Sequence, residues 1–431
     1  MTNSELKAMP HVDERLFLRI VLGIFLLSFA IIVGYPISSL IWSEIKGPYR
    51  GITDVADLDG DGDLDVILGQ TRWEAEDISW AGISLWFNQG EGQFTPDDQD
   101  LPGGFSAAAS DLDSDGDADL LILDGYRITY MLNQGSAQGG QNGIFKAKGS
   151  HIGLPVGPGH TDMGGSLLMD DVNSDGEPDS LQVGCCYLGS REDLDPAGYN
   201  PSFSSVSINT WNDELSWLEY HILPLVELDG IPVRGAALGD LDGDGDLDIY
   251  AAVGMLKPGE SRGLADMVLH NDGEGNFYDS GQRLGATGSS SVALGDLDGD
   301  GDLDALVGTF DGANIWVNQG GDQGGQAGLF APSGQAMPGK QTRLVFLADL
   351  DGDGDQDALT GGVKQAILWW NDGRGEFTRS DQRFNYTQRH ALAVADFNGD
   401  GSADIFTGAY TDDYRVWLNQ GQGTFRRGNL Q

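Results

Sequence analysis

A nine-residue acidic phrase, Asp-Leu-Asp-Gly-Asp-Gly-Asp-Leu-Asp, occupies residues 57–65, 240–248 and 296–304. Four looser copies begin at Asp111, Asp171, Asp349 and Asp396, and successive starts lie 54, 60, 69, 56, 53 and 47 residues apart. Self-similarity at a period of this size means one supersecondary unit used repeatedly, each copy burying its apolar faces against its neighbours while length differences fall in loops. The copies run from about Gly51 to the end of the chain, so the repeat decides the architecture of almost the whole sequence.

Each acidic phrase lies between short runs of small or apolar residues, such as Ile52 to Ala56 before and Val66 to Leu68 after it, or Ser291 to Leu294 and Ala305 to Val307. Runs of this length bounded by Asp and Gly read as two strands joined by a turn. A second phrase follows in the form Asn-x-Gly-x-Gly-x-Phe at Asn88 to Phe94, Asn271 to Phe277, Asn371 to Phe377 and Asn419 to Phe425, with longer versions from Asn133 to Phe145 and Asn318 to Phe330. There a third strand ends at Asn, glycines turn the chain, and Phe opens a fourth. Glycine, at 65 of 431 residues, is abundant without any collagen period, as many tight turns require. Four strands in each of seven units predict an all-β chain, a seven-bladed β-propeller with four-stranded blades. The third unit is irregular. Its second phrase reads as Trp211-Asn212-Asp213, and an insertion from Gly189 to Ser205 is expected to form a long exposed loop.

Read as D-x-[DN]-x-D-G-x-x-D, the acidic phrase sets oxygen-bearing side chains at positions 1, 3, 5 and 9 around a glycine at position 6, and position 7 offers its backbone carbonyl. In order of positions 1, 3, 5, 7 and 9, the candidate ligands of the first three copies are Asp57, Asp59, Asp61, Asp63 and Asp65; Asp111, Asp113, Asp115, Asp117 and Asp119; and Asp171, Asn173, Asp175, Glu177 and Asp179. The next two supply Asp240, Asp242, Asp244, Asp246 and Asp248, then Asp296, Asp298, Asp300, Asp302 and Asp304. The last two supply Asp349, Asp351, Asp353, Asp355 and Asp357, then Asp396, Asn398, Asp400, Ser402 and Asp404. Hard oxygen donors without His or Cys suit Ca²⁺, and the expectation is about seven Ca²⁺ sites, one per blade. Acidic turns that merely solubilise hairpins are the alternative, but solubility does not hold four positions in register. An EF-hand is excluded, since position 12 is Leu68, Ile122, Gln182, Ala251, Val307, Thr360 or Thr407 where that loop needs Glu.

Through these two phrases the chain resembles the VCBS/FG-GAP repeats of integrin α-subunit propellers and of many bacterial exported proteins. The resemblance covers everything after Gly51 and implies a propeller whose Ca²⁺ ions brace hairpin loops on one face. It implies no particular ligand, because the family includes adhesion subunits, lectins, lyases and parts of larger assemblies.

The formal charge of −43 argues against nucleic-acid partners. Residues 20–42 form an uncharged run of 23, long enough to cross a bilayer as a helix. Lys7, Arg15 and Arg19 precede it and Glu44, Lys46 and Arg50 follow, which favours an inside N-terminus. The expected organisation is a cytoplasmic segment 1–19, a transmembrane anchor 20–42, a linker 43–50 and a propeller 51–431, with the propeller periplasmic or at the cell surface. A cleaved signal peptide and a secreted propeller form the alternative. The two cysteines, Cys185 and Cys186, are adjacent, a placement that suits two thiols better than a strained vicinal disulfide.

Trp86, Trp316, Trp369 and Trp417 precede the Asn of the second phrase by two residues, where Met131 and Leu269 stand in other copies. Exchange with Met and Leu points to packing between blades over sugar stacking. Trp73, Trp80 and Trp217 fall outside that register and are the better candidates for an exposed site. His151, His160, His221, His270 and His390 share no spacing, and no nucleophile elbow, zincin or phosphate-loop motif is present. His160 and Asp162 near the cysteines are the best that can be assembled toward an active centre. The expected function is therefore that of a monomeric, membrane-anchored, adhesion-like module recognising a protein or glycan. A polysaccharide lyase or hydrolase on the same scaffold and a passive subunit of an envelope complex are the alternatives.

Overall fold

The computed structural model describes residues 49–428 except 75–76, 105, 125–126, 136–138, 153–165, 186–202, 213–216, 229–230, 255–263, 286–287, 322–323, 363–364, 386–390 and 409–413. The expected anchor at 20–42, His160, Asp162, His390 and Cys186 lie outside the described residues, as do the side chains of Cys185, Trp73, Trp80 and Trp217. Among the described residues no helix is long and apolar enough to cross a membrane.

Seven antiparallel sheets follow one another along the chain. Blade 1 is β1 (Tyr49–Ala56), β2 (Asp65–Glu74), β3 (Asp77–Asn88) and β4 (Phe94–Pro96). Blade 2 is β5 (Ser106–Ser110), β6 (Asp119–Leu123), β7 (Arg127–Asn133) and β8 (Phe145–Ile152). Blade 3 is β9 (Ser166–Asp170), β10 (Asp179–Cys185), β11 (Phe203–Asn212) and β12 (Trp217–Pro224). Blade 4 is β13 (Val233–Gly239), β14 (Asp248–Val253), β15 (Met267–Asn271) and β16 (Phe277–Asp279). Blade 5 is β17 (Ser289–Gly295), β18 (Asp304–Thr309), β19 (Gly312–Asn318) and β20 (Phe330–Pro332), with a short β21 (Met337–Pro338) added to β19. Blade 6 is β22 (Leu344–Ala348), β23 (Asp357–Gly361), β24 (Gln365–Asn371) and β25 (Phe377–Arg379), with β26 (Phe384–Asn385) added to β24. Blade 7 is β27 (Leu392–Ala395), β28 (Asp404–Thr407), β29 (Arg415–Asn419) and β30 (Phe425–Arg427). The expected seven-bladed all-β propeller is what the chain forms, and β1 begins two residues inside the stretch read as linker.

Strand composition follows position in the blade. Second strands such as β6 (DLLIL) and β14 (DIYAAV) are buried at every residue, because a blade has neighbours on both faces, and so they read as unbroken apolar runs rather than alternating ones. Several first strands, such as β5 (SAAAS), β13 (VRGAALG) and β17 (SSSVALG), are rich in small residues, and neighbouring blades approach closely there: a Cβ on Gly235 would lie 3.1 Å from the Ser291 Cα of the next blade. The apolar core is consequently divided into clusters that each join two blades. Leu58, Ile67 and Leu85 meet Leu120, Ile122 and Met131 between blades 1 and 2, and Leu297, Leu306 and Ile315 meet Ala358, Ile367 and Trp369 between blades 5 and 6. Trp86 and Trp369 are 5% and 4% exposed in such joints, and Trp316 and Trp417 pack against two others, which is the packing role expected for this register.

First strands contact one another in sequence from β1 to β27, and β27 contacts β1. Propellers are often closed by exchange of a strand, and the sequence alone leaves open that the segment after Asn419 pairs with blade 1. It does not: β30 pairs with β29, and β1 pairs with β2. Closure is made by side chains. At four other joints a glutamine after the last strand of one blade brackets the backbone of the next blade's second phrase. Gln99 accepts from Phe145 N (2.9 Å) and donates to Gly143 O, Gln282 spans Phe330 N and Gly328 O, Gln335 spans N and O of Phe377, and Gln382 spans Phe425 N and Gly423 O. Between blades 7 and 1 the Tyr414 hydroxyl takes this place, accepting from Phe94 N at 2.9 Å and donating to Phe94 O at 3.0 Å, with its ring edge-on to Trp86 and stacked on Phe406. Tyr414→Phe keeps the ring and removes both bonds. It should lower the free energy of unfolding by about 1–3 kcal/mol, read by equilibrium denaturation; an unchanged midpoint would show that the ring closes without these two bonds.

Blade 3 departs from the sequence reading in two ways. Its counterpart of the second-phrase Asn is Asn209, not Asn212: Asn209 N donates to Asp179 Oδ1 at 2.7 Å and its amide to Pro178 O at 2.9 Å. No glycine follows Asn209, so the chain does not turn there, and β11 stays paired with β12 as far as Asn212 opposite Trp217. The inserted segment also ends earlier than Ser205, because Phe203–Ser205 already belong to β11, with Ser204 and Ser205 buried.

Candidate metal centres on one face of the ring

In an up-and-down blade, the turn between the first two strands and the turn between the last two lie at the same end. Every acidic phrase occupies the first turn and every Asn-Gly phrase the second, so both gather on one face of the ring. The local fold of the acidic turn is dictated by its own carboxylates. Position 1 folds back on the loop: Asp57 accepts from Gly60 N and Gly62 N at 2.8 and 3.0 Å, Asp240, Asp296 and Asp349 accept from the N–H groups of the same two loop positions, and Asp111, Asp171 and Asp396 accept from those of positions 5 and 6. Position 5 accepts from the backbone N–H of position 7 in all seven, as Asp61, Asp115, Asp175, Asp244, Asp300, Asp353 and Asp400 do at 2.9–3.0 Å. The glycine at position 6 has φ between 87° and 99° in every copy, a backbone state that a side chain would strain.

Curling the loop brings its charges together. In blades 1, 2, 4 and 5 one carboxylate oxygen from each of positions 1, 3 and 5 lies within 4.8 Å of the others: Asp57, Asp59 and Asp61; Asp111, Asp113 and Asp115; Asp240, Asp242 and Asp244; Asp296, Asp298 and Asp300. Burial, and then the neighbouring position-5 carboxylate, push up the pKa of Asp59, Asp242, Asp298 and Asp351. Oxygen-only donors of this density fit a hard divalent ion such as Ca²⁺. Asp242 Oδ1 and Asp300 Oδ2 are moreover buried without hydrogen-bond partners. Blades 3 and 7 solve the crowding internally, because Asn173 and Asn398 donate their amides to Asp175 and Asp400 at 3.0 Å. These two loops have the least need of a cation.

Position 9 does something that the spacing did not reveal. Asp65, Asp119, Asp179, Asp248, Asp304, Asp357 and Asp404 are at most 1% exposed. One oxygen of each accepts from the backbone N–H of loop position 2 at 2.9–3.2 Å. The other accepts from the backbone N–H of the second-phrase Asn at 2.7–2.9 Å. Each therefore bolts its own loop to its own second turn. Burial pushes these carboxyls up, to about 7 for Asp65, Asp179, Asp304 and Asp357, about 8 for Asp119 and about 6 for Asp404, although the N–H bonds pull the other way; Asp248 is raised for the same reason. In blade 4 the oxygen of Asp248 that accepts from Leu241 N also meets His270 Nδ1 at 3.4 Å.

Position 7 faces the second turn. A Cβ on Gly273 would stand 2.7 Å from Asp246 Oδ2, and Gly135, Gly320 and Gly373 are pressed in the same way by Asp117, Asp302 and Asp355. Asp63 lies over Gly90 with more room. That is why Gly follows the Asn by two residues.

The second-phrase Asn, missed as a functional residue by sequence reading, is the stitch between blades. Asn88, Asn133, Asn271, Asn318, Asn371 and Asn419 donate their amides to the position-2 carbonyl of the preceding blade's acidic loop, namely Phe397, Leu58, Val172, Leu241, Leu297 and Leu350, at 2.7–2.9 Å. The same amides also donate to the position-8 carbonyl of their own loop. Glycines of the second turn then lie on position 3 of the preceding loop, with Gly143 over Asp59 and Gly423 over Asp351. Six of the seven candidate cation loops, all but that of blade 2, are thus stitched into a joint between blades. The available signal was the invariance of Asn within this one chain's repeats.

An FG-GAP-like repeat model matches residues 57–122, 240–307, 296–360 and 349–407, together more than half of the chain. The chain belongs to the FG-GAP-like repeat family. Each matched window of this FG-GAP propeller runs from one acidic loop through the next, and blade 3, with its turnless second phrase, lies outside all four. No curated protein sequence matches. Among solved structures, the FG-GAP propeller is similar to an Agrocybe aegerita lectin recognising non-reducing terminal N-acetylglucosamine (18% identity over 80% of this chain and 86% of that one, TM-score 0.47). It is also similar to BBS1N in complex with ARL6DN (9%, 86% and 92%, 0.48) and to the V. cholerae biofilm matrix protein Bap1 (10%, 85% and 85%, 0.37).

Proposed function

We propose that this FG-GAP propeller is a calcium-braced recognition module for a protein or glycan partner, held outside the cytoplasm by a membrane anchor at residues 20–42. The observation that carries the reading is the convergence of the position 1, 3 and 5 oxygens within loops that also form the joints between blades. An ion there neutralises charges that the fold has forced together and stiffens the face on which both sets of turns lie. Residues 20–42 support the anchor by length and lack of charge, and the acidic surface suits an exported, soluble ring. Recognition is favoured over catalysis because the most strongly raised carboxyls, those of position 9 and Asp266, are at most 2% exposed and bound by main-chain N–H groups, where they are poorly placed to serve as general acids or bases.

The test is to screen the full-length protein in mild detergent against glycan arrays and exported envelope proteins, with Ca²⁺ and with a chelator. Binding that requires Ca²⁺ is expected. Depolymerisation of a polysaccharide in the same screen would replace this reading by a lyase or hydrolase, and binding indifferent to Ca²⁺ would remove the cation from the mechanism.

A further inference from the structure

Six of the seven residues immediately before the second-phrase Asn are apolar: Phe87, Leu132, Ile208, Val317, Trp370 and Leu418. In blade 4 this place is held by His270. Its Nδ1 lies 3.3 Å from Asp242 Oδ2 and 3.4 Å from Asp248 Oδ2, and the three donor atoms form one compact group within 4.8 Å. Two ligand atoms each about 2.0–2.2 Å from a common ion at the tetrahedral angle stand about 3.4 Å apart, so these separations match a shared ion as well as hydrogen bonds. His270 and Asp242 are 29% and 28% exposed and Asp248 is 1% exposed. The Gly328 turn of blade 5 closes over them, since a Cβ there would meet Asp242 Cβ at 2.8 Å and His270 Cε1 at 3.0 Å. The other oxygen of Asp242, Oδ1, is buried with no hydrogen-bond partner.

We infer that His270, Asp242 and Asp248 form a separate site at the seam of blades 4 and 5 for a divalent ion of the zinc class, distinct in chemistry from the oxygen-only loops. Imidazole is a preferred ligand of such ions and a poor one for Ca²⁺. One His and two carboxylates supply three ligands and leave a fourth position for water or for a donor from a bound partner. The site touches the reading of the acidic loops as cation sites through Asp242 and Asp248, which it shares with the blade 4 loop as its positions 3 and 9; His270 is its own.

The experiment uses the full-length protein and Co²⁺ as a spectroscopic stand-in for zinc, titrated in buffer holding saturating Ca²⁺. The expected result is one equivalent of Co²⁺ with the intense visible absorption of a tetrahedral centre. It should be displaced by Zn²⁺ and lost in His270→Phe, which restores the residue of blade 1. His270→Asn is a second variant of smaller volume, and the calcium content of both variants reports whether the ring is intact. Changes in a metal ligand's surroundings alone cost about 10–100-fold in affinity, so removal of His270 should weaken Co²⁺ binding by at least about 100-fold. Equal Co²⁺ binding by wild type and by both variants, or calcium-loaded protein that takes up no Co²⁺, would overturn the site and leave the calcium reading standing. Co²⁺ bound through His270 in a protein whose loops bind no calcium would uphold the site and overturn that reading.

Discussion

Replacing Asn318 by alanine should lower the free energy of unfolding by about 3–5 kcal/mol, a large effect for one polar side chain. Asn318 is 1% exposed. Its amide donates to Leu241 O in blade 4 at 2.8 Å and to Leu303 O in its own blade at 3.2 Å, and its side-chain oxygen accepts from Gly328 N at 2.9 Å. Alanine takes the side-chain partner from three main-chain groups around a buried position, each loss costing about 1–3 kcal/mol. Asn318→Asp is the sharper variant. It is the same size and still accepts from Gly328, but it points an oxygen at two carbonyls, and it should be at least as damaging at neutral pH. Equilibrium unfolding in denaturant measures both. A loss below about 1 kcal/mol in each would mean that the joint is held by the apolar cluster of Leu241, Tyr250, Val268 and Phe330 and that the amide only decorates it.

Removing calcium should produce the second large effect, with a sign that depends on pH. A single site at a ligand concentration of about 100 times its Kd contributes about 2.7 kcal/mol, so even two such loops contribute roughly 5 kcal/mol. In chelator, the carboxyls raised by burial, Asp65, Asp119, Asp304 and Asp357 among them, hold more protons in the folded chain than in the unfolded one between about pH 4 and the folded values near 7 to 8. Their contribution is therefore fully present below the unfolded pKa and is lost as pH rises through that window. Chelated protein should be most stable in mild acid. A cation held by positions 1, 3 and 5 favours the ionised form of the position-9 carboxyl, which the charges at positions 3 and 5 otherwise hold up, so the gain in Tm on adding Ca²⁺ should be small near pH 5 and large near pH 8. Melting curves at both pH values, with the calcium content counted, decide the matter. A Tm shift independent of pH would show that the raised carboxyls are not coupled to the ion, and no shift at all would show that the loops hold without one. Blades 3 and 7, relieved by Asn173 and Asn398, should be the weakest of the sites.

Much of this molecule is legible in one dimension because its signal is repeated. Strand number, blade number and the loops with their glycines all follow from two phrases in register, and the second strands begin at the position-9 Asp of each loop, from Asp65 to Asp404. Blade 3 shows where that reading fails. With no glycine after Asn209, pattern matching slid three residues to Asn212, and only the bond from Asn209 N to Asp179 Oδ1 identifies the true counterpart. Closure of the ring was equally invisible: Tyr414 lies 320 residues from Phe94, and nothing near it in sequence announces the partner.

The sequence by itself determined that these loops must crowd carboxylates, since a nine-residue turn around a left-handed glycine leaves its side chains nowhere else to converge. Only the tertiary structure decided which of those oxygens are spent. Position 9 turned inward to bolt two turns together, the second-phrase Asn reached across to the neighbouring blade, and His270 came to rest beside Asp242 and Asp248. Spacing along a chain specifies a local loop, because its hydrogen bonds span two to five residues. The stitches join residues about 70 to 320 apart, and which carbonyl an amide meets at that range depends on how the blades stack.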